Sequence, residues 1–80
     1  MEYIIASYEG VLRQGWKPAS TRIVDGKVIL NENELRYRYP DKTLQEAADI
    51  VDGTVVSRQS ALDFISGTKS LEQIKSSDTK

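Results

Sequence analysis

The first apolar positions of the chain recur at the spacing of an amphipathic helix. They are Ile4, Ile5, Tyr8, Val11 and Leu12. A helix over residues 2–14 would end before Gly15, a residue type suited to the position after a helix, but Gly10 would lie inside it at a cost of about 1 kcal/mol relative to alanine. The alternative is a strand over residues 2–8 with a turn at 9–10, because these residues are rich in β-branched and aromatic side chains. We favour the helix.

A sharp turn is predicted by the pair Asp25-Gly26, which stands between two short apolar runs. Such a pair is typical of a type I′ hairpin turn, because both central residues of that turn need a positive φ. The turn determines which residues of the two flanking strands are paired. Val24 would face Lys27, Ile23 would face Val28, Arg22 would face Ile29 and Thr21 would face Leu30.

A third strand is predicted over residues 34–39, where apolar and charged side chains alternate, and Pro40 would end it. With a second turn at 31–33, the three strands would form an antiparallel meander. If the register holds across that turn, one face of the sheet would be basic and the other apolar. The basic face would carry Arg22, Lys27, Arg36 and Arg38, and the apolar face Ile23, Val28, Leu30, Leu35, Tyr37 and Tyr39.

The second half of the chain begins with a clear signal for the start of a helix. Thr43 and Glu46 have the spacing of a capping box, in which each side chain bonds the backbone of the other residue. A helix over 44–52 would follow, and Gly53 fits the position after it. Residues 54–56 are long enough only for a connector or a small edge strand.

Two further helices are predicted from the same kinds of signal. Ser57 would cap the first of them and Gly67 would end it. Its inward side chains would be Ala61, Leu62 and Ile65, with Phe64 beside them. Ser70 and Gln73 form another capping box, which predicts a short last helix.

The strands thus come as one run and the helices as another, which predicts an α+β fold. We expect a small three-stranded antiparallel sheet with two to four short helices. Eighty residues are enough for one domain, which we place at 1–75. Residues 76–80 are polar and terminal, so we expect them to form a disordered tail.

The composition narrows the chemistry, because the chain contains no cysteine and no histidine. These residue types supply the usual general base, the thiolate nucleophile and many metal ligands. No glycine-rich phosphate loop and no metal-ligand spacing is present either. We therefore expect no enzymatic activity, no cofactor and no metal. The chain also lacks a membrane-spanning apolar stretch and a signal-peptide pattern, so we expect it in the cytoplasm.

Residues 56–67 read VSRQSALDFISG, in which a serine and an Arg-Gln pair open a helix. This stretch, within residues 46–74, resembles the recognition helix of phage-repressor-type helix-turn-helix proteins, which lies in the major groove. The resemblance implies a DNA-binding regulator that uses segment 44–67. The DNA contacts would come from Ser57, Arg58, Gln59 and Ser60. The chain departs from the family in its longer turn, at 52–55. It also carries Asp63 where the family usually has a basic or neutral residue.

The net charge of −1 is not the basic excess typical of a dedicated nucleic-acid binder. By exclusion, we expect a small non-enzymatic protein-binding module, such as an inhibitor, adaptor or assembly factor, that binds another protein or itself as a homodimer. Arginine and tyrosine anchor many interfaces. The partner-binding residues would then be Arg22, Lys27, Arg36, Tyr37, Arg38 and Tyr39. The alternatives are the DNA-binding regulator and a binder of small anionic ligands with a pocket at a dimer interface.

Overall fold

The computed structural model describes residues 2–20 and 22–78, in which three strands and five helices form an α+β fold. In chain order the elements are β1 (Tyr3–Ser7), α1 (Tyr8–Arg13), β2 (Lys27–Asn31), α2 (Glu32–Arg38), α3 (Leu44–Ile50), β3 (Thr54–Val56), α4 (Arg58–Ser66) and α5 (Leu71–Asp78). The predicted fold class is confirmed, although two of the three strands are formed by other residues than predicted.

The first strand of the chain lies in the middle of the sheet. The strand order is β2-β1-β3, and β1 is antiparallel to both of its neighbours. Ile5 lies opposite Ile29 of β2 on one side and opposite Thr54 of β3 on the other. This order replaces the predicted meander, in which each strand would pair with the next one along the chain.

Helices cover both faces of the sheet, because successive side chains of β1 point to opposite faces and both sets are apolar. Ile4 and Ala6 belong to the core on what we call the first face, together with α1, α2 and α3. Ile5 belongs to the smaller core on the second face, together with α4 and α5. The second core consists of Ile5, Val56, Ala61, Phe64 and Ile74. The sheet therefore separates α3 from α4.

Residues 2–14 form a strand followed by a helix, so the favoured helix is wrong for β1, where the strand alternative is right, and right for α1. The side chains of residues 4–6 are buried on whichever face of the sheet they point to. A strand that is buried on both faces has a continuous apolar run instead of alternating apolar and polar residues. That run imitates the apolar stripe of a helix. Ser7 ends β1 and caps α1, since its Oγ accepts a hydrogen bond from the Gly10 N–H at 3.1 Å. The turn considered at 9–10 is therefore not formed.

The predicted two-residue turn is confirmed. Asp25 and Gly26 have φ angles of 55° and 74°, as a type I′ turn requires. Val24 and Lys27 exchange two backbone hydrogen bonds of 2.9 Å. The two residues before Val24 are not part of a strand, and the pairing predicted for Thr21 lies outside the described residues. The first arm of the hairpin thus contributes one bridge to the described structure.

The predicted third strand over 34–39 is wrong, because α2 occupies its place. Asn31 ends β2 and caps α2, and its Oδ1 accepts a hydrogen bond from the Glu34 N–H at 2.8 Å. Leu35 is the buried residue of the helix, and Tyr39 packs against the same core four residues later. That helical spacing also places apolar residues at alternating positions, so a six-residue window could not distinguish the two patterns.

Local hydrogen bonds begin and end α3. The Glu46 N–H donates to Thr43 Oγ1 at 3.1 Å, and the Thr43 N–H donates to Glu46 Oε1 at 2.9 Å, so the capping box is confirmed. The end of the helix differs from the prediction. Asp52, with a φ of 53°, takes the left-handed conformation that we expected of Gly53. The Gly53 N–H then donates to the Ala48 carbonyl oxygen at 2.7 Å, which completes a Schellman-type end.

The predicted ends of α4 are confirmed, and Ala61 is buried as predicted, but the rest of the buried face differs from the prediction. Ser57 caps the helix through a 3.2 Å hydrogen bond from the Ser60 N–H, and Gly67 ends it with a φ of 81°. Phe64 is buried, whereas Leu62, predicted to point inward, is 47% exposed. The helix is rotated about its axis relative to the predicted orientation, because the second-face core takes the larger aromatic ring of Phe64 instead of Leu62.

The last helix begins with the predicted capping box. The Ser70 N–H donates to Gln73 Oε1 at 2.9 Å, and the Gln73 N–H donates to Ser70 Oγ at 3.3 Å. Ile74 anchors α5 in the second-face core. The helix continues through 76–78, where we expected the start of a tail, and residues 79–80 lie outside the described part of the chain.

Gly53 has no room for a side chain, which gives a test of the fold. A Cβ atom there would lie 2.5 Å from Ile4 Cγ2 and 3.3 Å from the Ala48 carbonyl oxygen. Because both atoms belong to the buried core, Gly53→Ala should lower the free energy of unfolding, measured by urea denaturation, by about 3 kcal/mol. Gly15→Ala is the control, since its Cβ would meet open space and only the positive φ of 86° would cost about 1 kcal/mol. Equal losses in the two variants would contradict the close packing at Gly53.

Candidate interaction surface

The residues predicted to bind a partner do not share one surface. Arg36, Tyr37, Arg38 and Tyr39 belong to α2 and its C-terminal end. That helix packs on the first face of the sheet. Lys27 begins β2, and Arg22 precedes the hairpin turn. The predicted basic sheet face is therefore wrong, because the segment that would have supplied half of it is a helix.

The end of α2 holds the loop that follows α1, which explains several of the predicted partner residues. The Trp16 ring is buried, and its Nε1–H donates to the Tyr39 hydroxyl at 3.1 Å. The Arg38 guanidinium carbon lies 5.0 Å from the centroid of the same ring, a cation–π contact. The Ala19 N–H donates to Glu34 Oε2 at 2.7 Å. Arg38 and Tyr39 thus stabilise the fold without any partner.

The exposed side of α2 presents one aromatic side chain and an ion pair. Arg36 Nη2 lies 2.8 Å from Glu32 Oε2, one turn earlier. Glu32 Oε1 also accepts a hydrogen bond from the Glu2 N–H at 3.0 Å. This bond and, after it, the Arg36 side chain lower the pKa of the Glu32 carboxyl group. Tyr37 is 83% exposed, so it is the large side chain with apolar surface that α2 presents for contact with another molecule.

The residues implied by the resemblance to helix-turn-helix proteins lie at the start of α4. Ser57 is bonded to Ser60 through both the backbone and the side chain, and Gln59 Nε2 donates to Asp63 Oδ1 at 3.0 Å. The strand β3 stands where the resemblance implies a turn, and α3 and α4 pack on opposite faces of the sheet. DNA binding remains a prediction that this arrangement does not favour. Arg58 is the one of the four residues whose side chain is left for other contacts.

The outer edge of β2 is a feature that the sequence did not reveal. Lys27 points its N–H and C=O outward, to Val24, while the Glu32 N–H donates inward, to the Glu2 carbonyl of the β1 side. Because backbone groups of a strand alternate between its two edges, the N–H and C=O of Ile29 point outward, and so does the N–H of Asn31. Within the described residues, pairing on this edge ends at Lys27.

An apolar groove borders this edge on the second face of the sheet. It has a volume of about 200 Å³ and runs between α4 and the strands β1 and β2. Its lining residues are Tyr3, Ile29, Arg58, Ala61, Leu62 and Ile65. Leu62 is one of the exposed large hydrophobic residues of the chain. Backbone donors and acceptors therefore stand next to an open apolar channel.

A more open hollow lies where the hairpin turn meets the junction of α4 and α5. It encloses about 460 Å³ and is lined by Val24, Asp25, Phe64, Gly67, Lys69, Ser70 and Gln73. Its lysine, Lys69, already lies 3.9 Å from Asp63. Because its walls carry both charge signs and several small polar groups, this hollow offers less to a ligand than the apolar groove beside β2.

The described residues hold no group of three or more acidic side chains, histidines or cysteines placed to bind a metal ion. None of the described helices has the length and apolar character needed to cross a membrane.

A signal for the groove was present in the sequence. Four apolar residues in α4, at 61, 62, 64 and 65, are too many for the narrow face that a helix of nine residues buries. The excess predicts an exposed apolar side chain on this helix. The sequence could not identify Leu62 as that residue, because the choice depends on how the helix is rotated against the sheet.

The hydrogen bond between Trp16 and Tyr39 can be tested with paired variants. Tyr39→Phe removes the acceptor of a partly buried indole N–H, so the free energy of unfolding should fall by about 1 kcal/mol. Fluorescence of Trp16, the sole tryptophan, would follow urea denaturation. Tyr37→Phe is the matched control and should leave stability unchanged, since Tyr37 is exposed. A loss as large in Tyr37→Phe as in Tyr39→Phe would contradict the assignment.

The lowered pKa of Glu32 predicts a pH dependence of stability. A carboxyl group whose pKa is lower in the folded than in the unfolded state stabilises the fold above its unfolded pKa, and this contribution is lost as the pH falls through the folded pKa. Glu32→Gln should therefore lower stability near neutral pH and flatten its decline on acidification, measured by urea denaturation across the acidic range. The matched control is Glu72→Gln at the exposed start of α5. An acid profile unchanged by Glu32→Gln would contradict the prediction.

Comparison with known proteins does not assign this surface, since no protein-family model, no curated protein and no solved structure matches the chain.

Proposed function

We propose that this chain is a small non-enzymatic protein-binding module that receives an extended segment of its partner at the outer edge of β2. The observation that carries the proposal is the outward backbone of Ile29 beside the apolar groove. An extended segment laid along this edge would add a strand to the sheet. In this mode of recognition, main-chain hydrogen bonds supply affinity and pockets for alternate side chains supply specificity.

The exposed apolar side chain in the groove supports this proposal. Side chains of an added strand point alternately to the two faces of the sheet. Those on the second face would lie beside Ile29 and reach Leu62 and Ile65 of α4. Covering Leu62 would bury apolar surface that the isolated chain leaves in water, worth about 25 cal/mol per Å².

The small size of the second-face core also supports the binding of a partner strand on this side of the sheet. A domain of this length buries a limited share of its surface, so its core is thin without disulfides or metal. The second face has the smaller of the two cores and also the open groove. A bound strand would extend the sheet and cover this thinner side.

Peptide selection with a matched pair of variants tests the proposal. Peptides selected from a displayed random library on the wild-type protein would be measured by calorimetry against Leu62→Glu and Leu12→Glu. Leu62 and Leu12 are 47% and 40% exposed, so neither substitution disturbs the core, but only Leu62 lines the groove. Leu62→Glu should weaken binding about tenfold or more, which is the effect of losing one apolar contact. Leu12→Glu should bind like wild type.

Two outcomes would contradict this use of the β2 edge. Selected peptides that bind both variants equally would move the interface elsewhere, with Tyr37 on α2 as the next candidate. A selection that yields no binding peptide would argue against recognition of extended segments. Light scattering over a range of protein concentrations would show whether a second copy of the chain is the partner, in which case Leu62→Glu should dissociate the dimer.

A further inference from the structure

The charges around the groove indicate what kind of segment it takes. Arg58 lines the groove and begins α4, whose first turn contains no acidic residue. The ion pairs between described residues do not include Arg58. The positive end of the α4 dipole lies at the same point and adds to its charge. The groove thus has one unneutralised cation at its wall and no acidic side chain among its lining residues.

A second cation lies along the same strand. Lys27 is two residues before Ile29, so the two side chains lie on the same face of β2, about 7 Å apart along the strand. Lys27 also forms no ion pair with a described acidic side chain. The exposed Arg22 precedes the hairpin turn that begins β2. Lys27 therefore places a second cation at the end of the edge where the pairing with Val24 stops, whereas the chain as a whole has a net charge of −1.

A second copy of the chain fits this edge poorly. Twofold antiparallel pairing of two β2 edges centred on Ile29 would place Lys27 of each copy opposite Asn31 of the other, at the end of the groove where Tyr3 and Arg58 lie. Like charges placed together across an interface are unfavourable. Val24 of each copy already pairs with Lys27, so it lies on the edge that the other copy would have to approach. A separate, narrow segment avoids both conflicts.

We infer that the occupant of the groove is an extended acidic segment of another protein, with an apolar side chain in the groove and a carboxylate beside Arg58. This inference rests on the proposed function, because it names the partner chemistry of the same site. The segment would bond the N–H and C=O of Ile29 and place one side chain against Leu62. Its carboxylates would meet Arg58 and Lys27, so that charge and strand pairing select the same ligand.

Three synthetic peptides test this inference on the intact chain. Each is an acetylated and amidated strand of alternating valine and threonine, in which two threonine positions carry glutamate, glutamine or lysine. The ¹⁵N-labelled protein would be titrated with each peptide and the backbone amide shifts followed. We expect the glutamate peptide to shift the amides of 28–31, 62 and 65, and to bind about fivefold or more tightly than the glutamine peptide, as one charge-assisted contact would give. The lysine peptide should bind weakest.

Matched variants identify the cation. In Arg58→Gln the preference for glutamate over glutamine should disappear, while Arg36→Gln, which removes the same charge on the first-face helix α2, should keep it. Both arginines are exposed, so both variants should fold like wild type. A preference that survives in Arg58→Gln would overturn the assignment of the carboxylate contact.

The remaining outcomes separate this inference from the proposed function. Equal binding of the three peptides at 28–31 would overturn the acidic preference and leave strand addition supported. If none of the three peptides shifts these amides while library-selected peptides bind, the acidic-segment inference fails and the proposed function is kept. If neither kind of peptide binds, the inference and the proposed function both fail. Shifts at 28–31 that appear on concentrating the protein alone would make a second copy the occupant. Stronger shifts with oligothymidylate would make it a nucleic acid, and either result overturns the inference.

Discussion

The structure depends on a single short strand that is apolar on both faces. Residues 4–6 of β1 are fully buried, and each successive side chain enters the core on the opposite side of the sheet. A strand of this kind is stable only in the middle of a sheet with a layer of helices on each face. The order β2-β1-β3 and the division of the helices between two faces follow from that requirement.

Covering two faces is demanding for a chain of 80 residues. Three helices and the Trp16 loop cover the first face, whereas two helices, α4 and α5, cover the second. The second layer is too narrow to reach the outer edge of β2, and this shortfall leaves the groove beside Ile29. The surface that we propose as functional is thus a consequence of the same constraint that organises the fold.

Sequence-based prediction succeeded for local side-chain to backbone contacts. It failed where a short apolar pattern fitted both the two-residue period of a strand and the 3.6-residue period of a helix. Side-chain to backbone contacts within three or four residues are encoded locally, so the caps at Thr43, Ser57 and Ser70 were predicted correctly. Asn31 is a cap of the same kind, but the alternating residues after it favoured a strand. Because those residues form a helix, the cations at 36 and 38 are not part of the sheet, and the predicted basic face does not form.

The sequence by itself determined the features that close within one turn of backbone: the Asp25-Gly26 reversal and the starts of α3 and α4. Only the tertiary structure decided which strand lies in the centre and which side of α4 is buried. It also decided that Leu62, not Phe64, faces water. These outcomes depend on pairing β1 with segments twenty or more residues away. No local pattern contains that information, because each apolar segment could be buried equally well against several others.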